Sequence, residues 1–389
     1  VTMDSIGILE RLVGFNTVSS ESNMALIDWS ADFLSGAGAR VSVLRAPDQP
    51  KANLFATLGP DETGGIMLSG HTDVVPADTG EWTSDPFRLV RRDDRLYGRG
   101  SADMKGFIAC VLDWMSRLDA RTLPVPVHVA LSYDEELGCL GIPGMIAEFG
   151  RTLPTPRLAI VGEPTGMQPI VGHKGYRTFV TTFEGEPAHS SRPAQGVSAI
   201  RLAGAFIQAL ERLAGELSVR RIDSDGIDPP YTTLNIGRIA GGEAVNVVPA
   251  RGRIEWEARP AAGTDVAALL VRLDELLAEV MPPDLADKAG HGRITTKAVA
   301  AEPVFSAPAS AAARLVAELT GINHGGHCPF GTEAGFFQET GIPTVVFGPG
   351  SAEQAHIVDE FIEVSQMTAQ LAFLDALEGR LRRRGLDDL

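Results

Sequence analysis

At 389 residues the chain exceeds what one ordinary hydrophobic core takes, so two domains are the better expectation. Its net charge of −16, from 34 basic against 50 acidic residues, argues against nucleic acid as a partner, because phosphate-backbone binding needs a basic footprint. No apolar run approaches the ~20 residues of a membrane span. Cys110, Cys139 and Cys328 are too scattered for a disulfide framework or a CxxC metal site, so a reducing, cytoplasmic setting is expected.

Asp4 and Ser5 precede an amphipathic run from Ile6 to Val13, which reads as a capped helix rather than a signal peptide. A second helix covers Leu26 to Leu34. Strand patterns follow at Val41 to Leu44, Asn53 to Leu58, Ile66 to Ser69, Val127 to Ser132 and Leu158 to Val161, with a helix from Met104 to Leu118 among them. The rhythm then changes. Strand Tyr176 to Phe183, helix Val197 to Leu213, strands Thr232 to Ile239 and Arg253 to Ala258, helix Val266 to Val280 and strand Ile294 to Val299 give the order β-α-β-β-α-β of a ferredoxin-like sandwich. After it come helix Ala309 to Leu319, strand Thr344 to Phe347 and helix Val364 to Leu377, whose basic end Arg380 to Arg384 reads as a solvated cap. The expected fold is α/β: a catalytic domain with a mixed sheet flanked by helices, built from residues 1–174 and 301–389, with an α+β domain inserted at 175–300.

The chemistry concentrates just past predicted strands. His71 and Asp73 close the apolar run Ile66-Met67-Leu68, and residues two apart on an extended chain point the same way. A carboxylate on one imidazole nitrogen fixes the tautomer and leaves the other nitrogen for a metal. Asp103 stands in a Gly-rich turn. Glu135 and Glu136 follow strand Val127 to Ser132, Glu163 follows Leu158 to Val161, and His356 follows the turn Gly348-Pro349-Gly350. In open α/β sheets the functional crevice lies at the carboxyl ends of the strands, so these groups can converge. Such His and carboxylate ligands suit two zinc-type ions with one carboxylate between them, and adjacent Glu135 and Glu136 can supply a proton-moving base and a ligand respectively.

The phrases SGHTDVVP, GRGSADMKG, YDEELGCLG, VGEPT, GEPAHSS (185–191), GTEAGFF (331–337) and FGPGSAEQAH (347–356) resemble the di-zinc aminoacylase and carboxypeptidase family, in order and spacing along nearly the whole chain. The resemblance implies two divalent ions, zinc or else cobalt, with His71 and Glu163 on one, Glu136 and His356 on the other, and Asp103 shared. It implies that Asp73 orients His71, that Glu135 is the general acid/base, and that the Asp103–Met104 peptide is cis. The inserted domain would be a dimerisation or lid domain, making the protein a homodimer. His189 would reach into the partner subunit's site to hold the tetrahedral intermediate, and Asn246 and Arg259 would hold a substrate carboxylate. Glu333, in GTEA, would help attract a cationic side chain. The implied substrate is a small N-acyl amino acid, foremost N-acetyl-L-ornithine. The alternatives are desuccinylation of succinyl-diaminopimelate, a broad aminoacylase, and a metallo-carboxypeptidase or dipeptidase. One departure is Val358, where related sequences carry Pro.

Other motifs carry less. His324 and His327 beside Cys328 lack a further ligand nearby, His173 belongs to a hinge, His128 to a strand and His291 to a loop. Gly348-Pro349-Gly350-Ser351 lacks the lysine of a phosphate loop, and no G-x-S-x-G elbow supports serine hydrolysis.

Overall fold

The computed structural model describes residues 3–77, 80–222, 227–288, 290–386 and 388–389. The chain divides into two compact units, one of residues 1–172, 306–327 and 332–389, the other of residues 173–305 and 328–331.

The first unit is built on continuous apolar strands. From one edge its large sheet runs Arg40–Arg45, Ala52–Leu58, Val127–Ser132, Ile66–His71, Leu158–Val161, Thr344–Val346, Ile170–His173 and Phe305–Ser306, with Gly326–Cys328 paired to Ile170–His173. Val127–Ser132, Ile66–His71, Leu158–Val161 and Thr344–Val346 are mutually parallel neighbours, and all their residues are buried. Parallel strands covered on both faces read as unbroken hydrophobic runs for this reason. The sheet is mixed, because Ala52–Leu58 pairs antiparallel with Val127–Ser132 and with Arg40–Arg45.

Helix Gly106–Arg117 is buried continuously from Gly106 to Met115 and packs on Ser5–Val13 and Val364–Arg384. It starts later than the expected Met104, because Asp103 (φ −120, ψ 92) and Met104 (φ −132, ψ 34) are not helical. The last helix runs on to Arg384, and Arg380 is no solvated cap: it is 1% exposed and ion-paired with Glu318 and Asp388.

In the second unit Tyr176–Glu184, helix Ala199–Ser218, Thr233–Gly241, Arg251–Arg259, helix Val266–Val280 and Arg293–Glu302 follow in that order. The strands form an antiparallel sheet with Thr233–Gly241 and Arg293–Glu302 at its edges and Arg251–Arg259 beside Tyr176–Glu184 in the middle. Ser198 and Asp265 cap the two helices by accepting main-chain N–H bonds. Their apolar stripes, Leu202, Phe206, Leu210 and Leu213 on one and Leu269, Leu273 and Leu276 on the other, join Phe179, Phe183 and Trp256 in one core. Phe179 stacks on Trp256 with ring centroids 4.3 Å apart, and the indole N–H donates to Thr181 Oγ1 at 3.0 Å.

Candidate metal centre

Because the four central strands are parallel, their carboxyl ends share one edge of the sheet. His71 is the last residue of its strand, Glu135 and Glu136 lie just beyond Ser132, and Glu163 lies just beyond Val161. The loop after Val346 is stitched to the one bearing Glu163: Met167 N–H donates to Gly348 O at 3.0 Å and Gly166 N–H to Gly350 O at 2.6 Å. Gly348 has to be glycine, since a Cβ there would lie 2.4 Å from Gly162 O.

Asp103 stands between two imidazoles. Its Oδ1 is 3.1 Å from His71 Nε2 and its Oδ2 is 3.2 Å from His356 Nε2. His356 Nε2 also meets the Glu136 carboxylate at 3.0 Å. One ligand atom each from His71, Asp103 and Glu136 all lie within 4.8 Å of one another, a grouping that can hold a metal ion. The Asp103–Met104 peptide is cis. His71 Nδ1 donates to the main-chain carbonyl of Asp73 at 2.9 Å, with the Asp73 carboxylate at 3.6 Å. A carbonyl only accepts, so a proton sits on Nδ1, and Nε2 is the nitrogen that faces Asp103 and would be the one to bind a metal.

Asp73 does more than face His71. Its carboxylate accepts from Ser19 Oγ at 2.8 Å, from Glu135 N–H at 3.1 Å and from Glu136 N–H at 3.3 Å. It therefore ties the His71 strand end to the turn that carries both glutamates. Beside it, Lys51 forms a buried ion pair with Asp134, whose φ is +55°. Ser19, Lys51 and Asp134 escape sequence reasoning, because nothing local marks them; only the fold brings Ser19 to Asp73.

The electrostatics are those of crowded anions. Burial, reinforced by the neighbouring carboxylates, pushes Glu135 and Glu163 well above the ordinary carboxyl range, and burial raises Glu136 as well. Burial also opposes the Asp103 anion, but hydrogen bonds from His356 and His71 outweigh it and hold that carboxyl low. Hydrogen bonds to Asp103 and Glu136 draw His356 up to about 10. For His71, burial works against the charged ring, yet Asp103 and Asp73 raise it well above its usual value. Glu163 Oε1 is buried and has no hydrogen-bond partner in the protein. An orphaned buried carboxylate oxygen among crowded carboxylates and imidazole nitrogens is a donor set that divalent cations fit.

Glu333 is 1% exposed; its Oε2 accepts from Ser69 Oγ at 3.2 Å, its Oε1 has no partner, and burial raises the carboxyl to about 6. The remaining candidates belong to the second unit. His189 is exposed, and its Nδ1 accepts from Ser191 N–H at 3.2 Å, with Ser191 Oγ at 2.7 Å. Asn246 lies on the neighbouring segment: Ser190 N–H donates to Asn246 O at 3.0 Å, and Val248 N–H to Ala188 O at 2.8 Å. The Arg259 guanidinium covers the Tyr176 ring at 4.1 Å and donates through Nε to Glu257 at 3.3 Å.

A family model, Peptidase family M20/M25/M40, matches residues 67–377, from the strand that ends in His71 to the last helix. The chain belongs to this family. Membership makes it a metal-dependent amidohydrolase. An acetylornithine deacetylase from Proteus mirabilis is 38% identical over 350 residues, covering 89% of this chain and 87% of that protein. Among solved structures, the aminopeptidase PepT of Bacillus cereus superposes with a TM-score of 0.73 at 21% identity, covering 97% of this chain and 98% of its own. The Bacillus subtilis YXEP protein, a dinuclear metal-binding peptidase, gives 0.67 at 17% identity, covering 96% of each chain. These structural likenesses bear on the fold, a mixed α/β architecture with a large mixed sheet. Among the described residues no helix is long and apolar enough to cross a membrane.

Proposed function

We propose that the protein hydrolyses N-acetyl-L-ornithine to L-ornithine and acetate, a step of arginine biosynthesis, at a centre holding two divalent ions. The observation that carries this reading is Asp103, which presents one carboxylate oxygen to each of two histidines at 3.1 and 3.2 Å. The substrate comes from likeness to acetylornithine deacetylases such as that of Proteus mirabilis. His71 and Glu163 would hold one ion, Glu136 and His356 the other, and Asp103 both. Bound there, zinc or cobalt supplies Lewis-acid polarisation of the acyl oxygen and an acidified water.

The chain's own groups do the rest. Glu135 takes the proton that the attacking water gives up and returns it to the departing amine. Its main-chain N–H is fixed on Asp73, so the base enters the reaction already placed. On His189 the acceptor role of Nδ1 leaves the proton of the neutral ring on Nε2, which makes that edge a donor for a developing oxyanion. Glu257 engages Nε of Arg259, leaving the Nη edge to pair with the substrate's α-carboxylate beside Asn246. Glu333 is assigned to the cationic end of ornithine, an occupant that would satisfy its orphaned Oε1.

The second unit is read as a ferredoxin-like lid and dimerisation domain. Supporting this, its edge strands expose Ile239 and Val299, at 57% and 65%, beside unpaired main-chain groups that a second copy can cover.

The test is a Glu135→Ala variant assayed for metal content and for acetate release from N-acetylornithine. We expect the bound metal to be retained and turnover to fall by about 10²-fold or more, the scale of general acid–base catalysis. Near-normal turnover would remove Glu135 from the mechanism.

A further inference from the structure

Between His356 and strand Phe361–Glu363 lies a carboxylate that belongs to neither ligand set. Glu360 is 1% exposed, and four donors converge on it. Its Oε1 accepts from Ala102 N–H at 2.9 Å and from Asp103 N–H at 3.1 Å; its Oε2 accepts from Gly100 N–H at 2.9 Å and from Arg99 Nη1 at 2.8 Å. Its own carbonyl takes Gly98 N–H at 3.0 Å. The residues that follow pair antiparallel with those that precede this turn, Phe361 with Tyr97 and Ile362 with Leu96. Gly100 makes the turn possible with φ +79°.

We propose that Glu360 is a positioning residue of the metal centre, one that fixes the main chain of Asp103 and locks the loop bearing His356 to it. The inference rests on the reading that Asp103 and His356 hold metal. A turn of irregular backbone has no ladder to satisfy its N–H groups, so a charged acceptor spanning three of them defines its shape. The next residue along, Asp103, then points its carboxylate from a fixed stem. His356 stands only four residues before Glu360, so the same carboxylate sets the start of its loop. Arg99 plays a different part. It meets the charge of Glu360, stacks over Trp82 at 5.0 Å and donates through Nη2 to Pro76 O at 3.3 Å, and none of these partners is a candidate metal ligand.

The two parts separate in a pair of variants. Glu360→Gln keeps the shape but replaces one acceptor oxygen with a donor, so at least one of the three main-chain bonds is lost. Arg99→Gln leaves all three in place and removes the countercharge, together with the contacts of Arg99 to Trp82 and Pro76 O. Zinc affinity is measured by competition with a chromophoric chelator, and the ligand field by the visible absorption of the cobalt-substituted protein. Glu360→Gln should weaken zinc binding about 10–100-fold and alter the cobalt spectrum, the usual result of disturbing the groups behind a metal ligand. Arg99→Gln should lower the melting temperature yet leave the zinc affinity within about threefold of the parent, because no ligand is re-aimed. Parental zinc affinity in Glu360→Gln, or equal losses in both variants, would overturn the proposal. Should Glu360→Gln fail to fold, Glu360→Asp replaces it: the shorter carboxylate keeps its charge for Arg99 but cannot reach both ends of the turn, so zinc affinity should again fall, and parental affinity would again refute the role. Failure of the metal reading itself looks different, since the unaltered protein would then take up no zinc.

Discussion

His128 gives the sharpest quantitative prediction about the scaffold. The ring is fully buried on strand Val127–Ser132, where Nε2–H donates to Gly64 O at 2.8 Å and Nδ1 pairs with the Thr57 hydroxyl at 2.9 Å. Burial disfavours the charged ring and pushes the imidazole down to about 4, although the bond to Gly64 O works the other way. In the unfolded chain it titrates near the ordinary histidine value of 6.5. As the pH falls the unfolded state takes the proton first, so the stability His128 contributes is complete above 6.5 and is lost progressively on the way to about 4. The full loss is about 3 kcal/mol, and about 2 kcal/mol of it falls between roughly pH 7.5 and pH 5. Carboxylates and His173, which burial also lowers to about 4, titrate in the same range, so the useful quantity is a difference between two proteins. Denaturant unfolding of the parent and of His128→Gln at both pH values supplies it. The stability gap between them should shrink by about 2 kcal/mol on acidification, because only the parent carries the titrating ring. A gap that stays constant would show that the ring is not held neutral, and the reasoning from its burial would fail.

Asp73→Asn removes an acceptor from the turn bearing Glu135 and Glu136, so kcat should fall at least tenfold, about 1.4 kcal/mol, while Ser19→Ala should cost no more than about 1 kcal/mol of stability and little rate. Steady-state kinetics and thermal melts on both variants check this, and unchanged kcat in Asp73→Asn would deny it a part in placing the base. His189→Ala should lower kcat with little change in metal content. If His189 acts across a subunit boundary, mixing His189→Ala with Asp103→Ala protein should restore part of the activity in hybrid dimers; hybrids shown to form but left inactive would speak against that geometry.

Much of the centre is legible in the sequence for one physical reason. Strands buried on both faces announce themselves as apolar runs, and the polar residue that ends such a run marks the sheet edge where a site can form. His71, Glu135, Glu136 and Glu163 are all found this way, and the structure brings them together with Asp103 and His356. The strands Val90–Arg92, Arg95–Tyr97 and Phe361–Glu363 are not legible, because three residues are too few to show an alternation. With them went the connection between the Asp103 turn and the His356 loop, and so the part played by Glu360. Asp73 was legible as a partner of His71, but its hold on the N–H groups of Glu135 and Glu136 depends on two strands lying side by side, which no local pattern encodes. Glu333 stands out in its motif as an acidic residue; that it is buried against Ser69 emerges only from the packing.

The central claim is deacetylation of N-acetylornithine, and kcat/KM of the zinc- or cobalt-loaded protein on a small panel tests it most directly. The panel holds N-acetyl-ornithine, N-acetyl-citrulline, N-acetyl-methionine, succinyl-diaminopimelate and a dipeptide. The account predicts a preference for N-acetyl-ornithine of at least ~100-fold, about 2.7 kcal/mol at the transition state. A flat profile, or another substrate in first place, would contradict it while leaving the metal centre standing.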